Sequence, residues 1–197
     1  MVESISQERW DSAQKGEVFH YDYGNESNYK NTSFIILGEY FGLDPEKDFV
    51  GKKILEPGGG CFPSVYFCKG LKKAVSVEPL YDQFPEDVKQ RLSQNSVEIL
   101  SIPFESYSKK TKFDEVWFFN VLTHVIDPKL QLEMAKKLAK TVRVFEPIDT
   151  ATNNEHPHTL TYEFFESVFP NTEIKRYIGG SRSGFHQANC VYLTYNS

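Results

Sequence analysis

With 197 residues, 40% of them apolar and 25% charged, the chain has the make-up of one globular domain large enough to bury a sizeable core. Its formal net charge of −5 gives no long-range attraction for a phosphate backbone, which argues against nucleic acid as the main partner. No apolar run approaches the roughly 20 residues that cross a bilayer, and the polar opening MVESISQERWDSAQKGE lacks a signal-peptide core, so the expectation is a cytoplasmic protein with no membrane partner.

In chain order, residues 1–50 read as a helical extension and a possible lid. SISQERWDSAQKGEVFHY is a helix with Ser4 or Ser6 as N-cap and Trp10, Ala13 and Gln14 at helical spacing. ESNYKNTSFIILGEYFGL is a second helix, stopped by Gly42 with Pro45 just beyond. From residue 51 the pattern changes to short strands separated by helices. The strands are expected at 53–57, 74–78, 97–101, 114–120 and 141–146, with an antiparallel pair at 172–177 and 189–195. Pro63 is expected to open a helix that Gly70 ends. Pro85 opens PEDVKQRLSQN, and Asp127 caps DPKLQLEMAKKLAK, with Leu130, Met134 and Leu138 as its apolar face. HTLTYEFFESVF follows, with Phe164, Phe165 and Val168 facing inward. The alternation predicts an α/β fold in residues 51–197: a doubly wound, seven-stranded, mostly parallel sheet with an antiparallel strand near its C-terminal end.

Ligands of such sheets sit beyond the carboxyl ends of the strands, where the strand order reverses. Gly58-Gly59-Gly60 falls there, directly after the first strand. Glycine permits a sharp turn and close approach to the backbone. The dinucleotide fingerprint G-x-G-x-x-G fails at Pro63, and no G-K-[ST] of a P-loop follows. Glu56, two residues before the first glycine, would repel a pyrophosphate but suits a ligand with an amino group and a sulfonium. Glu78 ends the second strand, at the distance where an acid meets ribose hydroxyls, and a carboxylate can accept from both hydroxyls of a diol. Glu56, the three glycines and Glu78 together describe a site for S-adenosylmethionine.

From about residue 50 onward the chain resembles the class I S-adenosylmethionine-dependent methyltransferases. ILEPGGGCF is similar to that family's first motif, AVSVEPL to the acid after the second strand, and FDEVWFFNVLTHVIDP to the fourth-strand motif. EHPHTLTYEFFESVF and RWDSAQKGEVF are similar to the segment after the fifth strand and to an N-terminal helix that folds over the cofactor in some members. The departures are Phe62 where the family has a third glycine, Glu56 where aspartate is commoner, and the flanking Pro57 and Pro63. The resemblance implies a Rossmann-like enzyme that binds S-adenosylmethionine, releases S-adenosylhomocysteine and methylates a small-molecule acceptor by in-line transfer. A non-catalytic methyltransferase-fold protein acting through a partner is the alternative. A protein or nucleic-acid methyltransferase ranks lower, since FFNV stands where base-amino methylases carry Asn/Asp-Pro-Pro-aromatic.

In this reading Glu56 meets the methionyl amino group and Glu78 the ribose. Pro79 and Leu80 pack on the adenine face, Phe104 lies near the ring, Glu105 accepts from the exocyclic amine, and Asn120 lines the site. His124 is the candidate general base, against a structural histidine bonded to backbone. His156 and His158 form an H-x-H with no further ligands at metal spacing, so they are assigned to the acceptor pocket and no metal is expected. Arg182 and His186 are candidates for an anionic acceptor. Trp10, Gln14, Tyr21 and Tyr23 are candidate lid residues. Cys61, Cys68 and Cys190 suggest neither a disulfide framework nor a zinc site.

Overall fold

The fold is that of a computed structural model, which describes residues 2–178 and 189–197. Its seven strands are β1 (Lys53–Pro57), β2 (Lys73–Val77), β3 (Val97–Leu100), β4 (Phe113–Phe119), β5 (Ala139–Ile148), β6 (Ile174–Tyr177) and β7 (Asn189–Asn196). They form one sheet in the order β3-β2-β1-β4-β5-β7-β6. The first five are parallel, and β7 runs antiparallel to both β5 and β6. The order reverses between β1 and β4, so their carboxyl ends frame a crevice.

Both faces of the sheet are covered, which explains why β4 reads as an unbroken apolar run. Val116 and Phe118 point to one face and pack with α4 (Pro128–Leu138) and α5 (Tyr162–Val168). Trp117 and Phe119 point to the other, toward Ile36, Leu37 and Phe49. Ile36 and Leu37 lie where α2 (Glu26–Ile35) continues as a wider π turn, Ile36–Tyr40, before Gly42 ends it with φ +67°. The second helix of the N-terminal extension is therefore part of the core.

Two expectations are corrected. No α-helix joins β1 to β2; Ser64–Phe67 makes only a single 3-10 turn, and Pro63 is extended at ψ 153°. The segment Val65-Tyr66-Phe67 is β-branched or aromatic, hence a poor helix former. It buries Val65 on one side and Phe67 on the other. The second correction concerns α4. Its buried stripe is Pro128, Gln131, Leu132 and Ala135, while Leu130 is 46% exposed. Met134 and Leu138 pack against the core as expected, though only partly buried; Leu130 alone turns to solvent, and Gln131, Leu132 and Ala135 lie deepest. The helix start is as expected, with Asp127 Oδ1 accepting the Leu130 N–H at 2.8 Å. Asp127→Ala should cost about 1 kcal/mol, read as a lower urea midpoint with unchanged slope.

Candidate functional site

A cleft opens over the carboxyl ends of β1, β2 and β4, and the glycine loop is its floor. The three glycines are required first by the chain itself. A Cβ on Gly58, which has φ +63°, would stand 2.0 Å from Cγ2 of Val121. A Cβ on Gly59 would lie 2.4 Å from Pro63 Cβ and 2.8 Å from Ser76 Oγ. Gly60, at φ +62°, faces the Tyr21 ring, with Cε1 3.2 Å from the Cβ position.

Two glutamates stand beside this floor. Glu56 is 3% exposed, and its two oxygens accept the N–H groups of Ser64 and Val65, each at 2.9 Å. It thus caps the turn that follows the loop as well as lining the cleft. Burial pushes its carboxyl up to about 7 against those bonds. Glu78 is 2% exposed and accepts from Gly60 N–H and Leu80 N–H, each at 3.0 Å. Burial again raises its carboxyl, to about 7, against those bonds. Each carboxylate oxygen has a second lone pair, so an oriented Glu78 can still receive a diol.

At one end of the cleft lie Pro79, Phe104, Glu105, Val125 and Gln131. Leu80 does not line it; the side chain packs with Phe62, Phe84 and Val88, which corrects its assignment to the adenine face. Glu105 Oε1 accepts the Asp127 N–H at 3.4 Å. Gln131 was not anticipated. It is buried on α4, lines the cleft, and its Oε1 accepts no hydrogen bond among the described residues. The available signal was a glutamine on a stripe otherwise made of Pro128, Leu132 and Ala135. Asn120 ends β4 in the left-handed conformation at φ 58° and lines the cleft, its N–H held by the Phe145 carbonyl at 2.9 Å.

At the mouth, α1 (Gln7–Glu17) lies across the turn after β4. Trp10 Nε1 and Gln14 Nε2 donate to the His124 carbonyl at 3.0 and 3.4 Å. His124 Nδ1 is 3.1 Å from the Glu155 carbonyl oxygen and 3.3 Å from Glu17 Oε2. Trp10, Gln14 and Tyr21 line the cleft; Tyr23 does not and packs on Phe84 with ring centroids 5.7 Å apart. His156 packs tilted against His124, ring centroids 4.3 Å apart, but is not a lining residue. His158 is buried with Nε2 2.7 Å from the Val125 carbonyl, and burial lowers its pKa. His156 thus stands behind the lining His124, while the assignment of His158 is corrected: it is buried and ties two loops together. Arg182 and His186 lie outside the described residues. Among the described residues no cluster of three or more His, Cys, Asp or Glu could hold a metal ion.

The lining carries Glu17, Glu56, Glu78 and Glu105 and, among the described residues, no lysine or arginine. Once Glu56 and Glu78 are ionised, above about pH 7, such a wall favours cations and rejects anions.

Neither a protein-family model nor a curated protein matches the chain. Solved structures do. The 1,6-didemethyltoxoflavin-N1-methyltransferase of Burkholderia thailandensis, with its substrate and S-adenosylhomocysteine bound, aligns with 100% of this chain and 94% of its own at 12% identity and TM-score 0.63. The N-methyltransferase NodS from Bradyrhizobium japonicum WM9, with S-adenosylhomocysteine, aligns over 96% of this chain and 98% of its own, at 12% identity and TM-score 0.60. The [4+2]-cyclase SpnF aligns over 85% of this chain and 80% of its own, at 11% identity and TM-score 0.63. The fold is that of the class I S-adenosylmethionine-dependent methyltransferases.

Proposed function

We propose that this chain, having the class I methyltransferase fold, binds S-adenosylmethionine in the cleft above Gly58–Gly60 and methylates a small-molecule acceptor. The observation that carries the reading is Glu78, a buried carboxylate held over the glycine loop at the switch in strand order. S-adenosylmethionine supplies an activated methyl group on a sulfonium, and the protein's share is alignment and exclusion of water. The residues fit that group. Glu78 holds the ribose hydroxyls. Gln131 Oε1, buried without a donor, and Glu105 accept from the adenine amine beside Phe104 and Pro79. The Glu56 carboxyl and the acidic wall suit the methionyl ammonium and the sulfonium. His124 receives a proton from the acceptor. The same wall selects neutral or basic acceptors over carboxylates and phosphates. Three buried free thiols suit a cytoplasmic setting. Among the described residues no helix is long and apolar enough to cross a membrane.

Titration calorimetry with S-adenosylmethionine and S-adenosylhomocysteine tests the binding step. Glu78→Ala should weaken both ligands at least about tenfold, or ~1.4 kcal/mol, and Gln131→Leu should weaken them several-fold. A folded parent protein that binds neither ligand overturns the reading. The likeness to a [4+2]-cyclase keeps a second reading in view, since one fold can host unrelated chemistry. Firm cofactor binding without methyl transfer to any member of a broad amine, phenol and heterocycle panel would favour it.

A further inference from the structure

The N-terminal helix brings a carboxylate to His124. Trp10, Gln14 and Glu17 are spaced to share one face of α1, and all three converge on His124. The first two hold its backbone carbonyl, and the third reaches its ring nitrogen. The helix is fixed from its other side as well. Arg9 donates to the Asn154 carbonyl at 2.8 Å and the Asn153 carbonyl at 2.5 Å. A Cβ on Gly16 would come within 2.8 Å of Glu155 Oε1, so glycine lets α1 approach that loop. The Ile5 N–H reaches the Ile126 carbonyl at 3.0 Å. The Glu155 carbonyl that faces His124 Nδ1 therefore sits in a loop pinned by the same helix.

We propose that Glu17 is the positioning residue of His124, and that docking of α1 completes a carboxylate–imidazole pair for acceptors that must lose an N–H or O–H proton. This rests on the methyl-transfer reading of the cleft. Both groups facing Nδ1, the Glu17 carboxylate and the Glu155 carbonyl, are acceptors. Nδ1 accordingly bears the hydrogen, and the basic lone pair is on Nε2. When the acceptor reacts, its N–H or O–H bond breaks, the proton joins Nε2 and the electron pair stays on the acceptor atom. Glu17, 3.3 Å from the ring, stabilises the imidazolium so formed. Among the described residues the other titratable groups around the pair are His20, whose Nε2 is 4.0 Å from Glu155 Oε1, Glu155 itself, His156 against the His124 ring, and Glu78 and Tyr21 near Glu17. Protonation of His20 or His156 opposes the imidazolium; the Glu155 carboxylate supports it.

The ring signals of His124 in the full chain provide the test, followed by NMR across pH and assigned by their loss in His124→Gln. Glu17→Gln keeps the shape and removes the charge. It should lower the proton affinity of His124 about tenfold, with the backbone amide spectrum otherwise preserved. An unchanged His124 titration in a folded variant overturns the pairing. A second measurement uses the parent protein. His124 should be harder to protonate with cationic S-adenosylmethionine bound than with neutral S-adenosylhomocysteine, because like charge disfavours the imidazolium. Equal titrations in the two complexes overturn a role beside the transferred methyl, even if Glu17→Gln unfolds. Failure of both ligands to bind sinks the methyl-transfer reading instead, while the unliganded comparison still decides the pairing.

Discussion

A Gly58→Ala variant is expected to lose on the order of 2–5 kcal/mol of stability and most of its affinity for S-adenosylmethionine. Two costs add. An alanine held at φ +63° pays roughly 1–2 kcal/mol for the left-handed backbone. The new methyl also lands 2.0 Å from Val121 Cγ2 and 2.9 Å from its Cβ, which forces overpacking worth about 1–3 kcal/mol. Val121 cannot easily retreat, because its N–H is anchored on Glu146 Oε1 at 2.8 Å. Urea denaturation measures the loss, and calorimetry the binding. The double variant Gly58→Ala/Val121→Ala separates the terms, since it should regain the packing part and keep the backbone part. A single variant within 0.5 kcal/mol of the parent would contradict the crowding described here.

Stability should fall as the pH rises from 6 to 8. Three carboxyls are buried without a cation beside them: Glu56 and Glu78, raised to about 7, and Glu146, fully buried and raised to about 8. Glu146 accepts from Val121 and Leu122 through Oε1, and its Oε2 has no hydrogen-bond partner among the described residues. In the fold each group keeps its proton to a higher pH than in the unfolded chain. The folded state therefore binds more protons across this window, and stability present near pH 5 is lost as pH climbs through the folded values. At up to ~1.4 kcal/mol per pH unit for each group, the three together amount to a loss on the order of 2–5 kcal/mol between pH 6 and 8. Glu115 does not offset this: its salt bridges to Lys52 and Arg143, each 2.7 Å, lower its carboxyl and its titration lies below the window. Thermal midpoints at constant ionic strength check the slope, and Glu146→Gln should flatten it. A midpoint that rises toward pH 8 would refute the account.

The sheet was legible because strand signals are local. The β4 run and the glycine turn after β1 each carry their own pattern, and the switch point follows from their order. Glu78 was legible for the same reason, standing a fixed distance beyond the loop. What escaped depends on tertiary docking. A short, doubly buried link replaces the helix expected after Pro63. Glu56 turns toward that link's amides, a partner that exists only once the chain has folded back. Leu80 and His158 carry residue types suited to a site, yet the core claims them. Glu17 and Gln131 escaped because helical spacing says which residues share a face and nothing about what that face will meet.

The latch of α1 on the loop after β5 also orders events during synthesis. Arg9 and its partner Asn154 are 145 residues apart in the chain. At about 5–20 residues per second, the first helix leaves the ribosome roughly 7–30 s before the loop that will clasp it. The strands framing the glycine cleft are complete by residue 119. Because His124 and Ile126 follow at once, a nascent chain can lay α1 on the turn after β4 well before the loop that clasps it from the other side exists.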